Sequence, residues 1–147
     1  MEGRGAIVAV MDEAEMRRRV EAARVARLAT VRPGGRPHVV PVVFALDGDT
    51  LYTSVDGKPK STRRLRRLEN VAANPDVELV VDHYDEAWEM LWWVRLSGSA
   101  RVVADGPERE RGVELLRARY PQYERWGPLG EMIVVEVASW RGWSMEG

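Results

Sequence analysis

Apolar positions along the chain change period several times, and each change predicts an element. Met16, Val20 and Ala23 recur at helical spacing behind Asp12 and Glu15, which form a capping-box pattern, so a helix is predicted over 12–24. Leu28 and Thr30 then lead into a turn over 32–37, where Pro33, Gly34, Gly35 and Pro37 supply hairpin geometry. The valine-rich run 38–46 predicts a strand, and Pro41 marks it as an edge or a bulge because proline donates no ladder hydrogen bond. Asp47, Gly48 and Asp49 turn the chain into a returning strand over 50–55.

Residues 56–60 break that strand, and Ser61 is the predicted cap of a helix carrying Leu65, Leu68 and Ala72, which Asn74 and Pro75 end. A strand over 77–83, an acidic loop over 84–89 and a long β run over 90–104 bent at Gly98 follow. Gly106 and Pro107 open a helix with Val113, Leu116 and Tyr120 on one face, and Pro121 stops it. Partial alternation over 132–137 predicts a last strand, followed by a tail over 139–143 with Trp140 and Trp143 around Arg141.

The tally is about six strands and three helices with tight β connections, which predicts a mainly β (α+β) fold: an antiparallel barrel with helices across its openings. No repeat or linker divides the chain, so 1–147 is read as one domain. Hydrophobic residues at 45% and charged residues at 31% fit a globular protein. A formal net charge of -1 lacks the positive field of a general nucleic-acid binder, so no nucleic-acid partner is expected. The absence of cysteine excludes disulfides, thiolate nucleophiles and cysteine-held metals. Apolar runs such as 39–46 are far shorter than the roughly 20 residues that span a bilayer, and no cleavable signal pattern opens the sequence. A cytoplasmic protein without a membrane partner is expected.

Lys58, Lys60, Arg63, Arg64, Arg66 and Arg67 form a run of cations with no acidic residue among them, at a predicted strand end and helix start. Cations stacked at a helix N-terminus oppose its dipole and each other. A solvated basic face is one reading; a phosphate on the amides of residues 61–63, neutralised by Lys58, Lys60 and Arg64, is the other. The strands over 38–46 and 50–55 read as core strands unless their junction with the basic loop makes them the wall of a flat heterocycle. Adjacent Trp92 and Trp93 point to opposite faces of a strand, so both faces are covered, by the core or by a partner subunit. His38 and His83 have no second ligand at metal-binding spacing, and no hydrolytic triad or glycine-rich nucleotide loop is present.

At residues 37–43 (PHVVPVV), 51–54 (LYTS), 58–65 (KPKSTRRL) and 91–95 (LWWVR), the chain resembles the pyridoxamine 5′-phosphate oxidase-like flavin-binding superfamily. It is most similar to the branch of small coenzyme F-420 (deazaflavin) oxidoreductases. The resemblance runs from about Ala26 to Trp143 and implies a six-stranded split β-barrel, a homodimer, and a cofactor, F-420 first or FMN, in grooves between the subunits. Carried over by position, His38, Val39, Val40, Pro41, Val42 and Val43 line the ring. Tyr52, Thr53 and Ser54 approach the ring edge and ribityl chain, and Lys58, Lys60, Ser61 and Arg64 hold the phosphate. Trp92, Trp93, Trp140 and Arg141 are candidates for the other subunit's contribution. The tail at 140–143 lacks the Arg-x-His arrangement that grips pyridoxal phosphate, which argues against vitamin B6 oxidation.

The implied function is hydride transfer between the cofactor and a small organic substrate, without a dedicated nucleophile and with Tyr52, His38 or solvent as proton donor. The alternative is a carrier or sensor of flavin or haem without turnover.

Overall fold

The computed structural model describes residues 7–56 and 65–146. In chain order these form β1 (Ile7–Val10), α1 (Glu13–Ala22), β2 (Ala26–Val31), β3 (Pro37–Val42), β4 (Ala45–Asp47), β5 (Thr50–Asp56), α2 (Arg66–Ala73) and β6 (Asp76–His83). A 3-10 turn, Trp88–Met90, precedes β7 (Trp92–Val103), α3 (Pro107–Arg119), α4 (Tyr123–Trp126) and β8 (Leu129–Glu146). All strand pairings are antiparallel, in the order β3-β2-β6-β7-β8-β5-β4, with β1 also on β8. No helix among the described residues is long and apolar enough to cross a membrane.

Leu28 of β2 and Leu51 of β5 lie at well-separated places in that order, yet they share one buried cluster with Leu79, Leu96 and Ile133. A flat sheet cannot bring them together, so the sheet is rolled on itself. Met16 and Val20 of α1 and Leu68 and Val71 of α2 join the same cluster. The period of two divides β5 and β8 between two cores. Leu51, Ile133 and Val135 face the first, while Tyr52, Met132 and Val134 face a second beneath Val113 and Leu116 of α3. Gly112 permits that approach, because a Cβ there would stand 2.7 Å from the Tyr52 ring and 2.8 Å from Met132.

Local signals hold where local chemistry decides. The Asp12 carboxylate accepts from the Glu15 N–H at 2.9 Å and caps α1, which ends at Ala22 rather than at 24. Gly106, at φ 96°, precedes Pro107 in the first position of α3.

Other expectations change. The described residues hold eight strands and four α-helices rather than six and three; β1 and α4 carried no periodic signal. The run 38–46 is two strands, since Val43 and Phe44 leave the ladder between β3 and β4. Of these two strands β4 pairs with β5, whereas β3 pairs with β2 at the edge of the sheet, the place proline tolerates. Residues 132–137 and the tail 139–143 are one strand, and the bend expected at Gly98 is a register shift opposite Ala138. The described helix α2 runs Arg66–Ala73 with Leu65 as its N-cap, and Ser61, the expected cap, lies outside the described residues.

Candidate functional site

The β2–β3 hairpin turns through Gly34 and Gly35, both at positive φ, and closes with the Arg32 N–H donating to the Arg36 carbonyl at 2.8 Å. This register sets His38 opposite the buried Thr30. From α2 the fully buried Asn70 donates through Nδ2 to Thr30 Oγ1 at 2.9 Å, which ties the helix to the hairpin.

Among the described residues four buried polar atoms find no hydrogen-bond partner: Arg32 Nε, His38 Nδ1, Arg67 Nε and Asn70 Oδ1. Folded proteins pair nearly all such atoms, so a group of them marks either strain or a missing ligand. Three of the four are nitrogens on side chains that carry or can accept positive charge. Arg66 pairs with Glu69 at 3.4 Å, but Arg32 and Arg67 have no acidic partner among the described residues. Burial holds the His38 imidazole below its ordinary 6.5, and the charges of Arg32, Arg66 and Arg67 push it the same way. Burial likewise lowers the pKa of the Arg67 guanidinium. The cluster is short of negative charge and rich in donors, which suits an anion.

The residues expected to line a flat ring do not share one surface. Alternation on β3 turns His38, Val40 and Val42 to one face, with Val42 buried in the first core and Val40 packed against it, and Val39 and Pro41 to the exposed other face. Val43, in the break, packs on the second core. Tyr52 is buried beneath α3 in the second core, where desolvation raises its pKa. Thr53 donates to the Val43 carbonyl at 2.8 Å, and the Ser54 hydroxyl lies 3.0 Å and 3.2 Å from the carbonyls of Val55 and Glu131. Both hydroxyls are therefore engaged within the chain.

Lys58, Lys60, Ser61 and Arg64 lie outside the described residues. Of the tryptophan set, Trp93, Trp140 and Arg141 line one cavity of about 470 Å3, together with Arg95 and Trp143. Trp140 is fixed by its Nε1–H to Asp49 at 3.2 Å and by the Arg17 guanidinium 4.6 Å from its ring. Trp92 points elsewhere: it stacks on His83 at 6.3 Å and borders a separate cavity of about 350 Å3.

Sequence reasoning passed over Arg32 and Asn70. A polar residue on the face that Leu68 and Val71 bury was the available signal for Asn70. Nothing local marks Arg32, which joins the cluster only when the hairpin meets α2.

Residues 12–144 match the family model described as pyridoxamine 5′-phosphate oxidase. The 5a,11a-dehydrotetracycline/5a,11a-dehydrooxytetracycline reductase of Streptomyces rimosus is 32% identical over 110 residues, covering 72% of this chain and 76% of the reductase. A conserved hypothetical protein of Mycobacterium tuberculosis superposes with a TM-score of 0.73 at 24% identity, over 98% of this chain and 90% of that one. An FAD-binding protein of Mesorhizobium loti superposes at 0.65 with 22% identity, over 97% of this chain and 100% of its own. At these identities the superpositions show a shared fold.

Proposed function

The chain belongs to the pyridoxamine 5′-phosphate oxidase family, and from that membership we propose that it is an oxidoreductase using coenzyme F-420, or FMN, on a small organic substrate. The carrying observation is the group of unpaired nitrogens on Arg32, His38 and Arg67, which fits the phosphate common to both cofactors. The Lys58-Pro59-Lys60 motif adjoins α2 in sequence and favours F-420, and the reductase relative favours turnover over mere carriage.

When bound, such a cofactor supplies hydride chemistry. The chain's own work is placement. Arg32 and Arg67 donate to the anionic tail, with Lys58, Lys60, Ser61 and Arg64 as further holders, while Asn70 and Thr30 fix α2 against the hairpin. His38 holds or gives up a proton beside the same anion. Trp93, Trp140 and Arg141, already gathered on one cavity, are the surface that a second copy would present to the groove. A homodimer is part of the proposal, supported by Tyr84, Trp88 and Met90, three large apolar side chains exposed at 62%, 60% and 55% within one short segment.

Titration of the purified protein with F-420 and with FMN, followed by cofactor fluorescence, tests the reading. Saturable binding at micromolar concentration is expected, and replacing both Lys58 and Lys60 by alanine should weaken it by about 2–4 kcal/mol, the scale of charge-assisted hydrogen bonds. Unchanged affinity removes the lysines from the site. Binding of neither cofactor overturns the proposal, and a Soret band with haemin alone would favour the carrier.

A further inference from the structure

The ladder between β7 and β8 sets like residues against each other at three alternate positions: Trp93 opposite Trp143, Arg95 opposite Arg141 and Ser97 opposite Ser139. Val94 and Leu96 between them are buried, and Trp140 packs against the first core, so the period of two turns all three pairs to the outer face of the sheet. That face carries a row of two indole rings, then two guanidiniums, then two hydroxyls.

The middle row breaks a rule. Like charges directly opposite on paired strands destabilise the pairing, although exposed positions tolerate most other residues. Acidic neighbours offset little of it. Arg95 Nε lies 3.6 Å from Glu78, a carboxylate that also accepts from the Ser97 hydroxyl, and the Arg95 guanidinium rests 5.3 Å from the Trp93 ring. Asp82, opposite Trp93, pairs with Arg27 at 3.4 Å, and Asp49 is engaged by Arg17 and by the Trp140 Nε1–H. The Arg141 side chain has no hydrogen bond and no ion pair among the described residues.

These residues also share one hollow. The cavity of about 470 Å3 takes in both tryptophans, both arginines and Ser139, with Trp140 held in its wall, and no acidic residue among the described ones lines it. Its size falls in the range of small-molecule sites. A guanidinium presents two parallel N–H groups that match a carboxylate, and an indole offers a flat apolar face. Arg95 takes one face of Trp93, which leaves the ring of Trp143, without an aromatic or cation partner among the described residues, for a ligand to stack on.

We infer that this cavity holds the substrate, a planar aromatic carboxylate of about two or three rings, with the carboxylate between Arg95 and Arg141 and the ring on Trp143. The inference rests on the proposed function, in which this surface faces the cofactor groove of a second copy, and it gives that reaction a substrate class. An acidic side chain from the second copy would neutralise the arginines too, but it brings no flat ring to Trp143 and leaves most of the hollow unfilled.

The test uses the full chain and 2-naphthoate, with 2-naphthamide as its uncharged counterpart, and reads affinity by isothermal titration calorimetry with and without FMN. Wild type should bind naphthoate saturably and about tenfold more tightly than the amide. Arg141→Gln should remove that preference, and Arg141→Lys, which keeps the charge but not the fork, should restore only part of it. Trp143→Leu should weaken both ligands alike. Arg141→Gln should also unfold at no lower urea concentration than wild type, since it relieves a repulsion. Wild type without a preference for naphthoate, or a preference that survives both Arg141→Gln and Arg95→Gln, overturns the inference. So does a fall in the urea midpoint of Arg141→Gln, which would return that residue to the fold. Loss of the dimer in Arg141→Gln with naphthoate affinity unchanged would give the arginines to the second copy and overturn it as well. FMN and F-420 affinities on the same samples separate the two readings. If either cofactor binds while naphthoate ignores the arginines, only the cavity assignment falls. If naphthoate responds and neither cofactor binds, the cavity stands as a carboxylate site and the redox reading falls.

Discussion

Tyr120 holds both backbone groups of Phe44: its hydroxyl accepts the Phe44 N–H at 3.3 Å and lies 3.0 Å from the Phe44 carbonyl. The same oxygen accepts from Arg119 Nε at 3.0 Å and is 3.0 Å from the Arg24 carbonyl, so its one proton is shared between two acceptors. These bonds replace the ladder that Phe44 leaves when the chain passes from β3 to β4. Tyr120→Phe would strand a buried N–H and remove the carbonyl's donor at once. A loss of about 1–3 kcal/mol in urea unfolding is expected, the cost of unmade buried hydrogen bonds. A loss below about 0.5 kcal/mol would show that the break needs no such partner.

That relationship also explains what the sequence withheld. The cap of α1 and the start of α3 follow from residues close in sequence, and they were legible. The break after Val42 depends on a tyrosine 76 positions away, and the valines around it read as one strand. Likewise β8 looked divided because the unpaired Ala138 interrupts its alternation, although the ladder to β7 continues on both sides. β1 had no signal of its own, since its order comes from pairing with the far end of the chain. The cations around α2 were legible as a broken helix rule, but their gathering with Arg32 and His38 required the hairpin to be folded against the helix.

Gly98 tests whether the bulge is required. A Cβ there would stand 2.2 Å from the Glu136 carbonyl oxygen and 3.1 Å from the Val137 Cα, both backbone atoms of the paired strand. Neither yields as a side-chain tip would. Gly98→Ala should destabilise the protein by about 1–3 kcal/mol, as overpacking commonly does, and lower the melting temperature measured by circular dichroism. Gly34→Ala is the contrast: its Cβ would meet nothing within 4 Å, so its cost is the φ of 93° alone. Equal losses in the two variants would count against a packing origin.

The segment carrying Tyr84, Trp88 and Met90 predicts the oligomeric state. Three exposed side chains of this size in one loop are unusual unless another surface covers them. Light scattering at micromolar protein should give twice the 16.7 kDa chain mass. Trp88→Glu combined with Met90→Glu should shift the mass toward the single chain while leaving the far-ultraviolet spectrum unchanged. A monomeric wild type would remove the second copy from the proposed groove.

His38 gives the site a pH signature whose sign follows from its surroundings. Burial first, then the charges of Arg32, Arg66 and Arg67, keep its pKa below 6.5 in the folded protein. Above that value both folded and unfolded chains carry the neutral ring, and His38 has no effect on stability. As pH falls through 6.5 the unfolded chain takes up a proton that the native site resists, so stability decreases until the native pKa is passed. A phosphate seated among the arginines offsets their field and favours the imidazolium, which raises the pKa of His38. Cofactor binding should therefore take up protons and tighten as pH drops from 7 toward the native pKa. The check is the Cε1–H resonance of His38, assigned through His38→Gln and followed against pH with and without saturating FMN. A midpoint below 6.5 in the free protein and higher in the complex is expected. A midpoint that FMN leaves in place would put the anion elsewhere and detach His38 from the site.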